Sequence, residues 1–409
     1  MRSGSFMSFP SVPPFEDGCQ LIRGPGRPFK RECPGKLVKM LFFTFLMAGL
    51  VIGTIFVSHM SEYYPAGSTF LSNSLSLCRD NLNSYIEPVQ WVNPESWLRG
   101  LSIHHNMSDE ELLWLASMAP QREGVPIQRV PKIAFMFLTR GPLPLAPLWE
   151  RFFGGNQGLF SIYVHTHPNY KLDMPTSSVF YRRQIPSKEA QWGDVTMCDA
   201  ERRLLANALL DFSNERFVLL SETCIPLHPF PIIYNYLILA NESFIGAFDD
   251  PGPYGRGRYN PQMAPLITVE AWRKGSQWFE LKRNLAVELV SDTLYYPKFK
   301  DFCIPGCYVD EHYFPTFLSI EFGPQLANRS VTSVDWSRGG AHPAMFGGGD
   351  ITEAFLTNIR EQRDCLYNGQ PGSICFLFAR KFSPSTLEPL VQLAPKFLDT
   401  VGSVDLRQR

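Results

Sequence analysis

The sequence lacks the short motifs that mark several large enzyme classes. It contains no P-loop, no G-x-S-x-G, no H-E-x-x-H and no G-x-G-x-x-G placed after a strand. Each of these motifs supplies a defined element of chemistry: a phosphate cradle, a nucleophilic serine, a zinc site or a dinucleotide site. Their absence argues against a kinase, a lipase, a zinc protease and a dinucleotide-binding enzyme.

The chain also lacks an excess of charge of either sign. It has 38 Lys and Arg residues against 39 Asp and Glu residues, which gives a net charge of −1. A nucleic-acid-binding protein would need a basic excess for its phosphate contacts, so we expect no nucleic-acid partner. No internal repeat occurs. With 44% hydrophobic and 19% charged residues, the 409 residues exclude wholesale disorder and allow two or three domains, or one large domain with appendages.

The near-neutral total conceals a basic N-terminal segment followed by an apolar one. Residues 1–39 have a net charge of +4, whereas the remainder of the chain has a net charge of −5. From Met40 to Val57 the chain runs for eighteen residues without a charge, close to the ~20 residues that span ~30 Å of hydrocarbon as a helix. A buried core helix and a cleaved signal peptide are the alternatives, but no small-x-small cleavage pattern follows closely. We predict a transmembrane helix over 37–58.

The charge bias also orients this predicted helix. Because the basic excess lies on its N-terminal side, residues 1–36 should form a disordered cytosolic tail, and the rest of the chain should face the lumen. These tail residues are rich in Gly, Pro and Ser. The layout predicts a single-pass type II membrane protein.

Two features on the C-terminal side agree with this orientation. Three N-glycosylation sequons occur there, at Asn106, Asn241 and Asn328, and sequons are surface sites of secreted proteins. Seven of the nine cysteines also lie there, where disulfides persist; the odd number leaves at least one thiol free or paired between chains. Because Cys303 and Cys307 have no second Cys/His pair nearby, they predict a local or long-range disulfide rather than zinc.

Beyond the predicted span, the composition indicates a stem and then a folded domain. Residues 59–105 mix Ser, Asn and Pro without a clear period and predict a stem, whereas 106–409 predict the domain. Ser108 opens a capping-box pattern, S-D-E-E, ahead of the helical run LLWLASM, which predicts a helix start. The histidine pair at 104–105 has no third ligand at a useful spacing, so it predicts stem residues rather than a metal site.

From residue 132 onward, strand and helix patterns alternate. Apolar, β-prone runs predict strands over 132–141, 159–168 and 215–227. Helical patterns cover 144–153, with a proline in the first turn, and 199–212, an amphipathic stretch that begins with acidic residues after T-x-x-D. This alternation predicts an α/β domain with a mainly parallel sheet.

Polar residues follow each of the three strand patterns. In a parallel sheet the carboxyl ends of the strands meet at the ligand-binding edge. We therefore predict that three segments form the lips of one cleft: Thr139-Arg140-Gly141, His165-Thr166-His167 and Ser221-Glu222-Thr223. The histidines of the second segment also lack a third metal ligand, and this favours a position at the cleft lip.

The densest group of titratable residues is Asp310-Glu311-His312, at the start of a helical pattern. Acidic residues stabilise helix N-termini, so a solvated first turn is one interpretation. The flanking aromatic and apolar residues favour partial burial, which raises a carboxylate pKa and suits it to general-base catalysis.

Two further groups could bind an anionic ligand. Asp249 and Asp250 precede a Gly/Arg stretch that contains Arg256; the acids could hold a divalent metal on a diphosphate, the stretch could close over an anion, or the run could be an exposed loop. Arg338 and Lys381 stand beside aromatic residues and could neutralise phosphate oxygens. Ordinary surface charge is the alternative, although Lys381 ends a strongly apolar strand pattern, where an ammonium is unfavourable.

Taken in order, these segments resemble the core-2/I-branching β-1,6-N-acetylglucosaminyltransferase family, specifically its plant-type members. The resemblance runs from about Ser108 to the C-terminus, and the motifs that carry it are KIAFMFLTRGPLPL, FSIYVHTHP, DAERRLLANALLD, RFVLLSETCIPL, WRKGSQWFEL, YVDEHYFPT, WSRGGAHPAMFG and FARKF. It implies a GT-A-like α/β fold over 106–409 and a single-pass Golgi enzyme. It also implies that the enzyme takes a UDP-sugar, inverts the anomeric centre and needs no metal.

The resemblance implies roles for individual residues. Glu311 would be the catalytic base, Lys381 a diphosphate-binding cation, and Arg338 the candidate for a second such cation that precedes F-G-x-G-D in the family. The other predicted substrate-binding residues are Arg140, His165, Glu222, Asp250 and Arg256. Two positions depart from the family pattern, since His167 and Cys224 stand where relatives have Asp, and substrate contacts there are not carried over.

The sequence therefore predicts transfer of a sugar to a glycan or glycoprotein hydroxyl by direct displacement. N-acetylglucosamine is the family default for the donor sugar; glucuronic acid and xylose stay open. Three alternatives remain: a transferase with Mn²⁺ on Asp249 and Asp250, an inactive lumenal glycan-binding or scaffold protein of the polysaccharide-synthesis machinery, and a glycosidase. A glycosidase would need a second carboxylate ~5–10 Å from the first.

Overall fold

A computed structural model describes residues 103–118, 129–303, 307–362 and 364–399, all within one compact unit, Trp91–Arg409. The predicted tail, the transmembrane helix and all but the last residues of the stem lie outside the described residues. Within the described part, no helix has both the length and the apolar character needed to cross a bilayer.

The described residues alternate between helices and short strands, as the sequence pattern predicts. The helices are α1 Asp109–Ser117, α2 Ala146–Phe153, α3 Val195–Leu209, α4 Phe230–Leu239, α5 Arg283–Ser291, α6 Tyr296–Phe302, α7 Val309–Phe322, α8 Glu353–Arg360 and α9 Leu387–Phe397. The strands are β1 Lys132–Leu138, β2 Phe160–His165, β3 Asn214–Ser221, β4 Ile225–Pro226, β5 Glu280–Lys282, β6 Thr332–Val334, β7 Leu366–Tyr367, β8 Gln370–Pro371 and β9 Phe378–Arg380.

The central sheet has the strand order β2-β1-β3-β5. β1 is parallel to both β2 and β3, with Phe135 opposite Ile162 on one side and Val218 on the other, and only β5 runs antiparallel. The β1 side chains from Ile133 to Phe137 are fully buried, because helices cover both faces of a parallel sheet. The prediction of an α/β domain with a mainly parallel sheet is confirmed, and the architecture is compatible with a GT-A-like fold.

A second, three-stranded sheet places strand β9 beside the edge of the first sheet. Its order is β4-β9-β6, with Ala379 of β9 opposite Ile225 of β4 and Ser333 of β6. The amide of Phe382 donates to the carbonyl of Thr223 at 2.9 Å. These pairings bring the residues after β9 next to the loop that follows β3.

Some element boundaries differ from the sequence prediction. The β-prone run over 215–227 splits into β3, which ends at Ser221, and β4, which belongs to the second sheet. The two earlier strands end at Leu138 and His165, three residues before the predicted ends. The residues past these two ends, Thr139-Arg140-Gly141 and Thr166-His167-Pro168, form loops at the edge of the sheet instead of continuing the strands.

Helix α3 is more buried than an amphipathic surface helix. It begins at Val195 with Asp194 as the N-cap, whose carboxylate accepts from the amide of Thr196 at 2.9 Å. The predicted acidic first turn is therefore wrong, since the acids fall in the second turn and Glu201 is fully buried. α3 packs against α1, α5 and α7, so tertiary packing surrounds a helix that the sequence pattern would leave half exposed.

The predicted helix start near residue 108 is confirmed. Ser108 accepts from the amide of Glu111, and the Glu111 carboxylate accepts from the amide of Ser108 at 2.8 Å. This reciprocal pair satisfies two amides that the first turn of α1 would otherwise leave without partners.

The sequence left a local and a long-range disulfide open for Cys303 and Cys307, and the structure has the local one. Cys303 and Cys307 form a disulfide with a Cα–Cα distance of 5.3 Å, and Cys365 pairs with Cys375 at 5.7 Å. The free thiols among the described residues are those of Cys198 and Cys224, both buried.

Candidate active site

One cavity of about 1360 Å³ lies at the carboxyl ends of β1, β2 and β3. Residues of all three predicted lips contribute to its lining, among them Arg140, His165 and Glu222. The opposite wall comes from the start of α7, the segment 274–278 before β5, and the residues after β6 and β9. The cavity therefore collects side chains from distant parts of the domain at the edge where parallel sheets bind ligands.

Glu311 lies in this lining, in the first turn of α7, where the helix dipole favours a carboxylate. Its Oε2 atom accepts from Lys274 Nζ at 2.7 Å and from Arg258 Nη1 at 3.1 Å. The amide of Gly275 donates to the Glu311 carbonyl at 2.8 Å, which ties the 274–278 segment to α7. Glu311 is thus an anchored carboxylate that faces the cavity.

Aromatic contacts hold Arg258 in place. Its guanidinium lies 4.3 Å from the ring centroid of Tyr308, and that ring lies 4.8 Å from the ring of Trp192. Tyr308 is the N-cap residue of α7 and has a left-handed backbone, with φ of 58°. Few non-glycine residues adopt this conformation, and here it turns the tyrosine ring toward the cavity lining.

Asp310, next to the candidate base, is almost completely buried, and its Oδ1 atom has no hydrogen-bond partner among the described residues. Burial, and after it the neighbouring Glu311 charge, raise the pKa of Asp310 to about 7. Glu201 of α3 is fully buried nearby and accepts from Gln277 at 2.8 Å. Burial and Asp310 raise the pKa of Glu201 well above its ordinary value, so α3 and α7 meet through two acidic groups that favour the protonated form.

His312, the third residue of the D-E-H group, is structural. Its ring is buried, stacks on Trp272 at 4.5 Å and donates through Nδ1 to the carbonyl of Arg273 at 2.8 Å. Burial lowers the pKa of His312 to about 3, which keeps the imidazole neutral at physiological pH.

His165, at the end of β2, is also neutral. Burial, and after it the nearby Arg203 charge, lower its pKa to about 3. Its Nε2 accepts from Arg203 Nη1 at 3.0 Å, and the same guanidinium binds the Asp109 carboxylate at 2.7 and 2.8 Å. His165 therefore contributes a fixed polar wall rather than a charge.

One end of the cavity is cationic. Arg140, Arg380 and Lys381 line it together with one carboxylate, Glu222. Burial lowers the pKa of Lys381, and the positive charges of Arg380 and Arg140 lower it further. This end of the cavity is suited to an anion.

Two predicted substrate-binding residues lie outside the cavity lining. Arg338 is exposed on the loop after β6, while its neighbours Trp336 and Gly339 reach the cavity. Arg256 binds the Asp249 carboxylate at 2.7 and 2.8 Å and faces solvent. Each of the two lies in a loop that contributes other residues to the lining, Trp336 and Gly339 in the first case and Arg258 in the second.

The two acids proposed for Mn²⁺ have other contacts. Asp249 is engaged by an arginine, and Asp250, which lines the cavity, accepts from the amide of Gly252 at 2.8 Å. In the part of the chain that the structure describes, no three His, Cys, Asp or Glu side chains form a potential metal site. The residues present at this position do not fit a metal carried by both acids.

The two departures from the family pattern have different structural consequences. His167 is exposed at the cavity lip, so it can still reach a ligand. Cys224 is fully buried and outside the lining, and its carbonyl accepts from the indole of Trp149 at 3.2 Å. Cys224 therefore brings no charge to the cavity and does not obstruct it.

Sequence reasoning missed three cations of the site: Lys274, Arg258 and Arg380. The first lies in WRKGSQWFEL, a motif that supported the resemblance, and the others lie one or two residues from cations that were named. The motifs were therefore a usable signal, but their spacing could not select the side chains that face the cavity.

Comparison with known proteins agrees with this geometry. The family model described as "Core-2/I-Branching enzyme" matches residues 133–360. The rice protein Glycosyltransferase BC10 (Oryza sativa subsp. japonica) is 38% identical over 309 residues, which cover 64% of this chain and 76% of the rice protein. Because the family match covers more than half of the sequence, the chain belongs to the core-2/I-branching family of glycosyltransferases.

Proposed function

We propose that the protein is a type II Golgi membrane enzyme that transfers a sugar from a UDP-sugar to a hydroxyl of a glycan or glycoprotein. N-acetylglucosamine is the default donor sugar for this family. The observation that carries the proposal is that Glu311 and Lys381 line the same cavity of about 1360 Å³. Ligand cavities of about 300–1,000 Å³ hold drug-sized molecules, so this one has room for a nucleotide sugar and part of an acceptor.

The contacts of Glu311 support its role as the general base. Lys274 and Arg258 both bind Oε2, and no hydrogen bond from the described residues reaches Oε1. Oε1 can therefore accept the proton of the acceptor hydroxyl as that oxygen attacks the anomeric carbon. Because the carboxylate is held from one side, the attacking oxygen can be placed with the accuracy that direct displacement needs.

The second part of the proposal concerns the leaving group, the nucleoside diphosphate. As the bond from the anomeric carbon to the diphosphate breaks, negative charge develops on the phosphate oxygens. The Lys381 ammonium and the Arg140 guanidinium at the cationic end of the cavity would stabilise that charge electrostatically. Attack from the face opposite the diphosphate inverts the anomeric centre, and no resident metal forms part of this scheme.

The proposal is tested by assaying the full-length protein with a panel of UDP-sugars and glycan acceptors. Glu311→Gln keeps the shape of the side chain, so we expect it to fold normally and to lose about 10²–10⁴-fold in kcat. Glu110→Gln, a matched change at an exposed residue of α1, should retain the wild-type rate. Undiminished transfer by Glu311→Gln would exclude the assigned role.

Three observations separate the alternatives. Activity that persists in EDTA would exclude the Mn²⁺-dependent transferase. An inactive scaffold or glycan-binding protein would show no turnover with any donor on the panel. Formation of a glycosidic bond, rather than release of free sugar, would exclude the glycosidase.

A further inference from the structure

Helix α7, which carries Glu311 in its first turn, has a buried proline in its interior, Pro315. An interior residue of an α-helix donates its amide to the carbonyl four residues earlier, and for position 315 that carbonyl belongs to Glu311. Proline has no amide hydrogen, and its ring pushes the carbonyl four residues earlier away from the helix axis. The backbone acceptor of the candidate base is therefore left without its helical donor.

The segment before β5 supplies a donor in its place. The amide of Gly275 donates to the Glu311 carbonyl at 2.8 Å. The backbone approaches closely here, because a Cβ atom at Gly275 would lie 2.6 Å from Pro315 Cγ and would overlap the carbonyl of Gly246. Glycine permits such an approach because it has no side chain. The proline ring of α7 and the glycine before β5 therefore fit each other.

Two further hydrogen bonds fix the position of this segment along α7. The amide of Arg273 donates to Thr316 Oγ1 at 2.9 Å, and the His312 ring donates to the Arg273 carbonyl at 2.8 Å. His312 and Thr316 are fully buried, so water does not compete for these bonds. Together with the bond from Gly275, they anchor the residues on both sides of position 274 to the helix.

Lys274 lies between these anchored neighbours, and its Nζ atom contacts Glu311 Oε2 at 2.7 Å. We propose that Pro315 is a positioning residue for the general base. Its missing amide leaves the Glu311 carbonyl to Gly275, and that bond places Lys274 against the Glu311 carboxylate. Pro315 does not itself line the cavity, so it acts through Lys274. The inference rests on the proposed function, because it takes Glu311 as the base.

Pro315→Ala restores the amide, so residue 315 can donate to the Glu311 carbonyl within the helix. Gly275 then competes for its acceptor, and Lys274 is held less firmly. On the full-length protein we expect kcat to fall about 10- to 100-fold, because loss of position affects the chemical step, while the Kd for UDP stays unchanged. Alanine favours a helix interior and proline does not, so the Tm should be equal to or above that of the wild type. A purely structural role would lower stability together with activity.

Pro395→Ala is the matched control. Pro395 also lies inside a helix, α9, but it is exposed and outside the cavity lining, so this variant should keep the wild-type kcat. Hydrogen exchange gives a second readout that needs no substrate. The amides of residues 273–275 should exchange about tenfold faster in Pro315→Ala than in the wild type, and at the wild-type rate in Pro395→Ala.

A double-mutant cycle tests whether Pro315 acts through Lys274. Lys274→Gln removes the contact between the ammonium and Glu311, and adding Pro315→Ala to it should lower kcat by less than about twofold more. If the two losses multiply instead, the substitutions act independently and the inference is overturned.

The outcomes separate this inference from the proposed function. If the wild type transfers sugar from none of the UDP-sugars, the proposed function fails, and the exchange rates still decide whether Pro315 holds the segment on α7. If the wild type is active and Pro315→Ala keeps its kcat, only the positioning role is overturned. An alanine variant that fails to fold would also overturn it, because Pro315 would then support the fold rather than position Lys274.

Discussion

At the scale of single residues, the geometry of Glu311 depends on two cations from separate segments. Lys274 precedes β5 and Arg258 lies in the Gly/Arg loop, yet both contact the same carboxylate oxygen. A carboxylate held by two donors has fewer accessible rotamers. The second oxygen is thereby kept toward the cavity, where an acceptor hydroxyl would bind.

Arg258 and Arg256 provide a matched pair of substitutions for this arrangement. Arg258→Gln removes one contact to Glu311, and we expect kcat to fall about 10- to 100-fold with little change in the donor KM, because loss of position affects the chemical step. Arg256→Gln removes an exposed pair with Asp249 and should change kcat by less than about twofold. Steady-state kinetics on both variants measures the difference. Equal losses in the two variants would contradict the positioning role of Arg258.

At the scale of elements, the contact between α3 and α7 contains two buried acids. Burial and then the charge of Asp310 in α7 raise the pKa of Glu201 in α3, and burial and then the charge of Glu311 raise the pKa of Asp310. Charged carboxylates at such a contact would destabilise the packing of the two helices. The helix that carries the candidate base is therefore packed most favourably when these groups hold protons.

This arrangement predicts that the folded protein loses stability as the pH rises. The pKa of Asp310 is about 7 in the folded protein against an ordinary value of 3.8, so between these values the folded state binds a proton that the unfolded chain releases. The free energy of unfolding should therefore fall by roughly a few kcal/mol between about pH 4 and pH 7. Asp310→Asn should show a smaller fall.

Urea unfolding at pH 4.5 and pH 7.5 measures this effect. The matched control is Asp173→Asn, at an exposed position, which should keep the pH dependence of the wild type. The same decrease in the Asp310→Asn variant as in the wild type would show that this carboxyl does not titrate as its burial requires.

Sequence patterns predicted which segments form strands and helices better than they predicted how those segments pair and how deeply they are buried. β1 and β2 were recognisable because a parallel strand buried on both faces is continuously apolar. The division of the run over 215–227 into β3 and β4 could not be recognised from the sequence, because both pieces are apolar and only their hydrogen-bond partners differ. The burial of α3 depends on packing against three helices that are distant in sequence. Local periodicity therefore predicted a helix that is less buried than the one observed.

At the scale of the whole molecule, the sequons give a test of the predicted topology. Asn106, Asn241 and Asn328 are all exposed in the structure, which is what a glycan requires. If the domain is lumenal, full-length protein from eukaryotic cells should lose the mass of three glycans on N-glycosidase treatment, and a variant with Gln at all three positions should show no loss. A C-terminal tag should also be protected from protease in intact microsomes. A fully unglycosylated, protease-accessible protein would contradict the type II topology.

The sequence by itself determined the order of strands and helices in this domain, the segments at the strand ends that line the cleft, and the D-E-H and F-A-R-K-F motifs. These properties are local, because they depend on periodicity and on residues that are neighbours in the chain. Only the tertiary structure decided which cations line the cavity and contact Glu311. Lys274 and Arg258 meet Glu311, and Arg380 rather than Arg338 faces the cavity, because strand pairing and helix packing fix the direction of each side chain, and spacing along the chain does not encode that direction.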